Sequence, residues 1–202
     1  MLHLTGRISR YCGALVGFAA IALGALYIAK SAAQSGKESQ PQAGTVANSS
    51  NASPIYGVKI PPGYREWKMI AVDQLVIGKL DVDQLRAQLG NDIAIKAFKE
   101  GTIPFPDGAI IAALHWTRVS SEANNKVLAG PFPGAQSFVI GSGVNVQFMV
   151  KDSKKYAATG GWGFADFKDG KPGDKKLHET CFPCHVPAKD HDFVFAHYAP
   201  TP

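Results

Sequence analysis

Val144-Asn145-Val146-Gln147-Phe148-Met149-Val150 alternates apolar with polar side chains over most of its length. A strand with one buried and one solvated face has that period of two, so this stretch points to a fold built on a sheet. Just upstream, Ser137 to Ile140 has the same β-rich composition, and Gly141-Ser142-Gly143 between the two runs predicts a hairpin turn. Further out, Trp67 to Val72, Ala109 to Trp116 and Gly160 to Phe167 read as strands, the last entered through glycines. Phe105-Pro106-Asp107-Gly108 is the turn leading into the second of these.

Helical signals are fewer. Asn91 to Glu100 carries apolar residues at Ile93, Ala97 and Phe98, with an Asn or Asp start and Gly101 as its stop. Asp152 to Ala158 predicts a helix of two turns, and Lys175 to Cys184 predicts one that ends near Pro183. No repeat of fixed period is present. The expected class is α+β: a mainly antiparallel sheet, a few helices and a functional helix at the C-terminal end, preceded by an N-terminal apolar helix.

That C-terminal helix carries Cys181-Phe182-Pro183-Cys184-His185, the C-x-x-C-H attachment pattern for a c-type haem. Cys181 and Cys184 would each form a thioether to a haem vinyl group, and His185 would bind the iron through its imidazole. Other readings exist. Zinc needs four ligands, and the one further cysteine, Cys12, is remote, so it would have to recruit His178, His185 or His191. A thioredoxin-type pair expects a βαβ pattern, which does not surround this motif. A plain disulfide suits an oxidising compartment. The spacing points to one covalent haem c.

Residues 11–29 are apolar and uncharged, with Arg7 and Arg10 before them and Lys30 after. Such a run just suffices to span a bilayer, and the basic flank holds the N-terminus in the cytoplasm. It also reads as a signal peptide, with Ser31-Ala32-Ala33 near a cut. Residues 1–33 are therefore a signal peptide or a membrane anchor. The expected location is periplasmic, either soluble after cleavage or held to the inner membrane by residues 11–29. Residues 34–55, rich in Ser, Gln, Asn, Ala and Gly, read as a flexible linker, and 56–202 as one domain.

The formal charge of +5 is mostly a property of the membrane flank. All 16 acidic residues and 18 of the 21 Lys and Arg lie after Ala33, leaving +2 on the exported part. No basic stripe suggests nucleic acid. Lys171, Lys175, Lys176 and Lys189 around the haem motif could favour an acidic redox partner protein.

The position of the motif bears on the iron. Only 17 residues follow His185, and none is methionine. Met149 sits in the alternating strand. His115, His178, His191 and His197 could each ligate iron, though His191 follows His185 too closely to reach the opposite haem face easily. An open or water-filled sixth position is expected. Phe132, Phe138, Phe148, Trp116, Trp162 and Phe164 are candidate walls of an apolar pocket, with the loop Ala129 to Gly134 as a cap. Arg86 could pair with a propionate or a bound oxyanion. Gly160, Gly161 and Gly163 could let the backbone approach the macrocycle.

Val150-Lys151-Asp152, Gly161-Trp162-Gly163-Phe164, the C-x-x-C-H run, Asp192-Phe193-Val194-Phe195 and Tyr198-Ala199-Pro200 occur in that order. Together with Gly63-Tyr64-Arg65-Glu66-Trp67 and the turn at 105–108, they resemble the cytochrome P-460 family over roughly 56–202. The resemblance implies a mainly β, often dimeric, exported haem protein with five-coordinate iron. That family includes hydroxylamine-oxidising enzymes and the cytochromes c′-beta, which bind nitric oxide and carbon monoxide. The oxidising members cross-link haem to a lysine in the strand after the Asp-Gly turn. The matching position here is Ala113, and the strand from Ala109 to Trp116 contains no lysine.

Three functions follow as expectations. The first is an exported c-type monohaem cytochrome that binds a small gaseous or nitrogenous ligand such as nitric oxide. The second is a hydroxylamine or nitric oxide oxidoreductase. The third is a periplasmic electron carrier, which works best with six-coordinate iron.

Overall fold

The computed structural model describes residues 51–199. The apolar segment at 11–29 and most of the linker lie outside the described residues. Six strands form one antiparallel sheet in chain order: β1 (Lys68–Ile77), β2 (Val82–Gly90), β3 (Ile110–Ser120), β4 (Phe138–Lys151), β5 (Trp162–Lys168) and the short β6 (Lys171–Pro172). Among the described residues there are three α-helices, α1 (Asp92–Glu100), α2 (Glu122–Leu128) and α3 (Lys175–His185). The α+β class is as the sequence reads.

The alternating run forms the second half of β4, the longest of these strands. Its register on β3 sets Ala113 opposite Gln147 and Ile111 opposite Met149, while β5 sets Asp166 opposite Gln147. Paired residues project from the same face of a sheet. One face therefore carries Asp73, Arg86 and His115 in one row and Gln88, Ala113, Gln147 and Asp166 in the next. The other face carries Leu114 and Phe148, both buried, the latter edge-on to Tyr64 and Phe167.

The expected hairpin at Gly141-Ser142-Gly143 is absent; β4 runs straight through it. Two-residue hairpin turns need a positive φ, and neither Gly141 nor Gly143 has one. The glycines instead serve an irregular pairing, in which the β3–β4 register shifts on both sides of Trp116. A Cβ on Gly141 would collide with Thr117 Oγ1, and the Ser142 N–H donates to that same oxygen at 2.9 Å.

α1 matches its expected limits. Asn91 Oδ1 accepts from the Ala94 N–H at 3.0 Å, and Gly101 closes the helix in the left-handed region. The expected helix from Asp152 to Ala158 is not formed. Asp152 Oδ1 accepts from the N–H groups of Lys154 and Lys155, a local turn that competes with helix, and only the 3-10 turn Ala157–Thr159 follows. The folded contacts also begin upstream of Tyr56, the start expected for the domain. Ala52 bridges Lys59, and the buried Ser53 donates from Oγ to the Phe164 carbonyl at 3.0 Å.

Candidate functional site

α3 begins at Asp174, whose Oδ1 accepts from the Leu177 N–H at 2.7 Å. From that cap, Leu177, Thr180, Cys181 and Cys184 recur every three or four residues, so one stripe of the helix faces one direction. That stripe and His185 line a cavity of about 520 Å³ whose far wall is the polar face of the sheet. Both thiols are free. The expected motif thus lies on a helix that runs one residue past Cys184 with Pro183 inside it, rather than stopping there.

His185 is held by backbone. Its Nδ1 lies 2.7 Å from the Phe193 carbonyl oxygen, which can only accept, so Nδ1 carries the hydrogen and Nε2 is left as the ligating nitrogen. Burial lowers the ring's pKa, partly opposed by that hydrogen bond, so the imidazole is neutral, the form that binds metal. The ring contacts those of Phe164 and Phe195, at 5.0 and 5.3 Å between centroids. Phe193 itself sits at φ 65, a costly conformation for a bulky residue. Its ring fills the space over Gly160, where a Cβ would clash with it. Below it, Asp192 and Lys151 form a buried ion pair at 2.8 Å, and Asp192 also accepts from the Phe105 N–H.

Burial, then Asp166 and Cys184, push the Cys181 thiol up to about 11. It is therefore protonated near neutrality and a poor nucleophile or zinc ligand. His178, which a zinc site would have recruited, is fully buried with both nitrogens engaged: Nδ1 at 2.7 Å from the Asp174 carbonyl and Nε2 accepting from the Asp166 N–H at 3.1 Å. It staples α3 to β5 and is unavailable to a metal. His191 and His197 face each other, 5.9 Å between ring centroids, away from the main cavity.

His115 and Met149 do line the cavity, as do Phe164, Arg86 and Ala113; Phe148 borders it from its strand, while its ring packs on the opposite face. The other expected walls do not. Phe132 is 61% exposed, Phe138 lies beneath the Arg118 guanidinium, and Trp162 is buried against Phe105. Trp116 is likewise absent from the lining, as is the loop from Ala129 to Gly134. The glycines at 160, 161 and 163 make room for Phe193, Lys151 and Tyr156 rather than for a cofactor. Arg86 faces the cavity already neutralised, with Nε and Nη2 donating to the two Asp73 oxygens at 2.6 and 2.8 Å. Among the described residues, no lysine lines the cavity.

Sequence reading missed the polar wall of Asp73, Gln88, Gln147 and Asp166. The signal was present in β2, where Gln84, Arg86 and Gln88 alternate with Leu85, Ala87 and Leu89. There the polar side chains face inward.

A pocket of this size, enclosed by apolar side chains with a few placed polar groups, suits a bound cofactor. A neutral imidazole with its outer nitrogen fixed, beside two unpaired thiols one helical turn apart, is a donor set that fits haem. Residues 61–196 match the sequence profile of the Cytochrome P460 family. No curated protein matches the chain. The chain belongs to the cytochrome P460 family, a family of haem-binding cytochromes.

Proposed function

We propose that this chain is an exported c-type cytochrome with one covalent haem, and that its cavity admits small ligands such as nitric oxide. The observation that carries the proposal is the convergence of Cys181, Cys184 and His185 on one cavity whose opposite wall is the sheet. Each thioether forms when S–H adds across a vinyl double bond. The sulfur binds one carbon, the hydrogen goes to the other, and no oxidant is required. The raised pKa of the Cys181 thiol weighs against a dithiol redox pair, which works through a thiolate. His185 offers Nε2 as the single protein ligand on its side, oriented by Phe193. The haem supplies an iron that changes redox state and has a coordination position for a diatomic ligand.

Export is supported by residues 1–33, read as a signal peptide or anchor. The exposed Lys171, Lys175, Lys176 and Lys189 offer a docking surface to an acidic redox partner. A second copy of the chain is the partner the resemblance implies. The exposed Val72, Val76 and Ile140, on the sheet face away from the cavity, supply apolar surface for it.

A second reading, oxidation of hydroxylamine or nitric oxide, is favoured by the polar wall of Gln88, His115 and Asp166. Ala113 at the position of the cross-linking lysine weighs against the family's cross-linked form of that chemistry. A third, electron carriage, would draw on His115 or Met149 as a sixth ligand.

Optical spectra of the reduced protein with and without carbon monoxide separate these. The five-coordinate reading expects a large Soret change on adding the gas. An unchanged six-coordinate spectrum would instead favour the electron carrier.

A further inference from the structure

We infer that Gln88 and His115 form a donor-binding subsite in the cavity wall, selective for small neutral or cationic ligands that carry N–H or O–H groups. Two of the buried side-chain atoms without a hydrogen-bond partner among the described residues are Gln88 Oε1 and His115 Nε2, and both residues line the cavity. Each is about 95% buried, at 5% exposure. They stand on neighbouring strands, Gln88 beside Arg86 in the β2 series and His115 opposite Arg86 on β3.

Both atoms stand as acceptors, Gln88 Oε1 because its amide is anchored by Asp73 and His115 Nε2 in the tautomer that pairs Nδ1 with Gln84 Oε1. Gln88 Nε2 donates to Asp73 Oδ2 at 2.9 Å. Turning the amide over would set its oxygen against that carboxylate, so Oε1 must face elsewhere. His115 Nδ1 lies 2.8 Å from Gln84 Oε1, a carbonyl oxygen that only accepts. The ring hydrogen therefore sits on Nδ1, and Nε2 presents a bare lone pair. Burial and the nearby Arg86 lower the ring's pKa to about 4, against the opposing pull of Asp166 and Asp73, so the lone pair persists at neutral pH.

Arg86, on the same face, donates to Asp73 through two hydrogen bonds and to neither of these atoms. Asp166 adds a carboxylate to the same wall. Asn145 and Gln147 both donate to its Oδ2, leaving Oδ1 with no side-chain donor. A buried acceptor left without a donor carries a desolvation cost, which a ligand bearing hydrogens removes and an acceptor-only ligand does not. Ammonia, primary amines and water meet the requirement; halide ions do not. The subsite is a property of the wall itself. Its effect on what binds at the iron rests on the haem reading.

Two measurements on the full chain test it. In protein labelled with ¹⁵N-histidine, reduced and saturated with carbon monoxide so that any haem is diamagnetic, the His115 ring should carry hydrogen on Nδ1 and none on Nε2. A protonated Nε2 would overturn the proposal. In the ferric chain, methylamine (two or more N–H donors) and fluoride (acceptor only) are titrated optically at alkaline pH. His115→Leu and Gln88→Leu should each weaken methylamine by about fivefold, the effect of one hydrogen bond, and leave fluoride unchanged or tighter. Equal shifts for both ligands, or none for methylamine, would contradict it. A chain with no Soret band refutes the haem reading alone. Methylamine must then still perturb the His115 ring signals in the unaltered chain and lose that effect in Gln88→Leu, or the subsite is refuted too.

Discussion

His185 and His115 present opposite problems in the same cavity. The Phe193 carbonyl fixes the tautomer of one, and the Gln84 amide oxygen that of the other. Each ring is left with a bare Nε2, but only His185 stands beside the two cysteines in sequence. Keeping His115 neutral has a consequence for stability. Its pKa in the folded chain is about 4, below the ordinary 6.5, so between those values the unfolded chain binds the extra proton and the folded chain does not. The contribution is complete above about pH 6.5 and is lost as pH falls through about 4. It amounts to at most about 3 kcal/mol, reduced by the solvent that reaches the cavity side of the ring. Urea unfolding of His115→Leu should therefore show a shallower loss of stability across that window than the unaltered chain. Parallel curves would assign the acid sensitivity to other groups.

Among the elements, α3 and the segment after it depend on contacts that are remote in sequence. His178 pins the helix to β5, and the Lys151–Asp192 pair pins the turn that carries Phe193. Both side chains of that pair are less than 10% exposed, and Lys151 Nζ also donates to the Gly160 carbonyl at 3.0 Å. Removing one partner strands a buried charge, a loss of about 3–5 kcal/mol. Lys151→Met should lower the thermal midpoint and also disturb His185, since Phe193 directly follows Asp192. The matching readout is the spectrum of the ferrous protein, which should broaden or shift. A destabilised protein with an unaltered spectrum would mean that the turn does not orient His185. The sequence made α1, α3 and the alternating strand legible because caps and periodicity are local. It hid β2, whose polar side chains face inward, and α2, which is short and carries no apolar stripe. It also misplaced the hairpin, since Gly-Ser-Gly marks an irregular backbone without saying whether the chain turns or bulges.

At the scale of the molecule, a meander of strands provides one wall and the C-terminal third provides the other. The C-x-x-C-H run is contiguous, so its spacing is read directly from the sequence. The polar wall was not legible there, because its members come from five strands and meet only through register. The glycines at 160 and 163 show the same limit. Their close neighbours are Phe193 and Tyr156, which no local pattern reveals. If Cys181 and Cys184 hold one haem covalently, intact-mass spectrometry of the chain from a host competent in cytochrome maturation should show it. The expected mass is that of the polypeptide plus one haem and survives denaturation; Cys181→Ala or Cys184→Ala should leave a single thioether, and the double variant none. A denatured polypeptide of unmodified mass, from cells that mature other c-type cytochromes, would contradict that attachment.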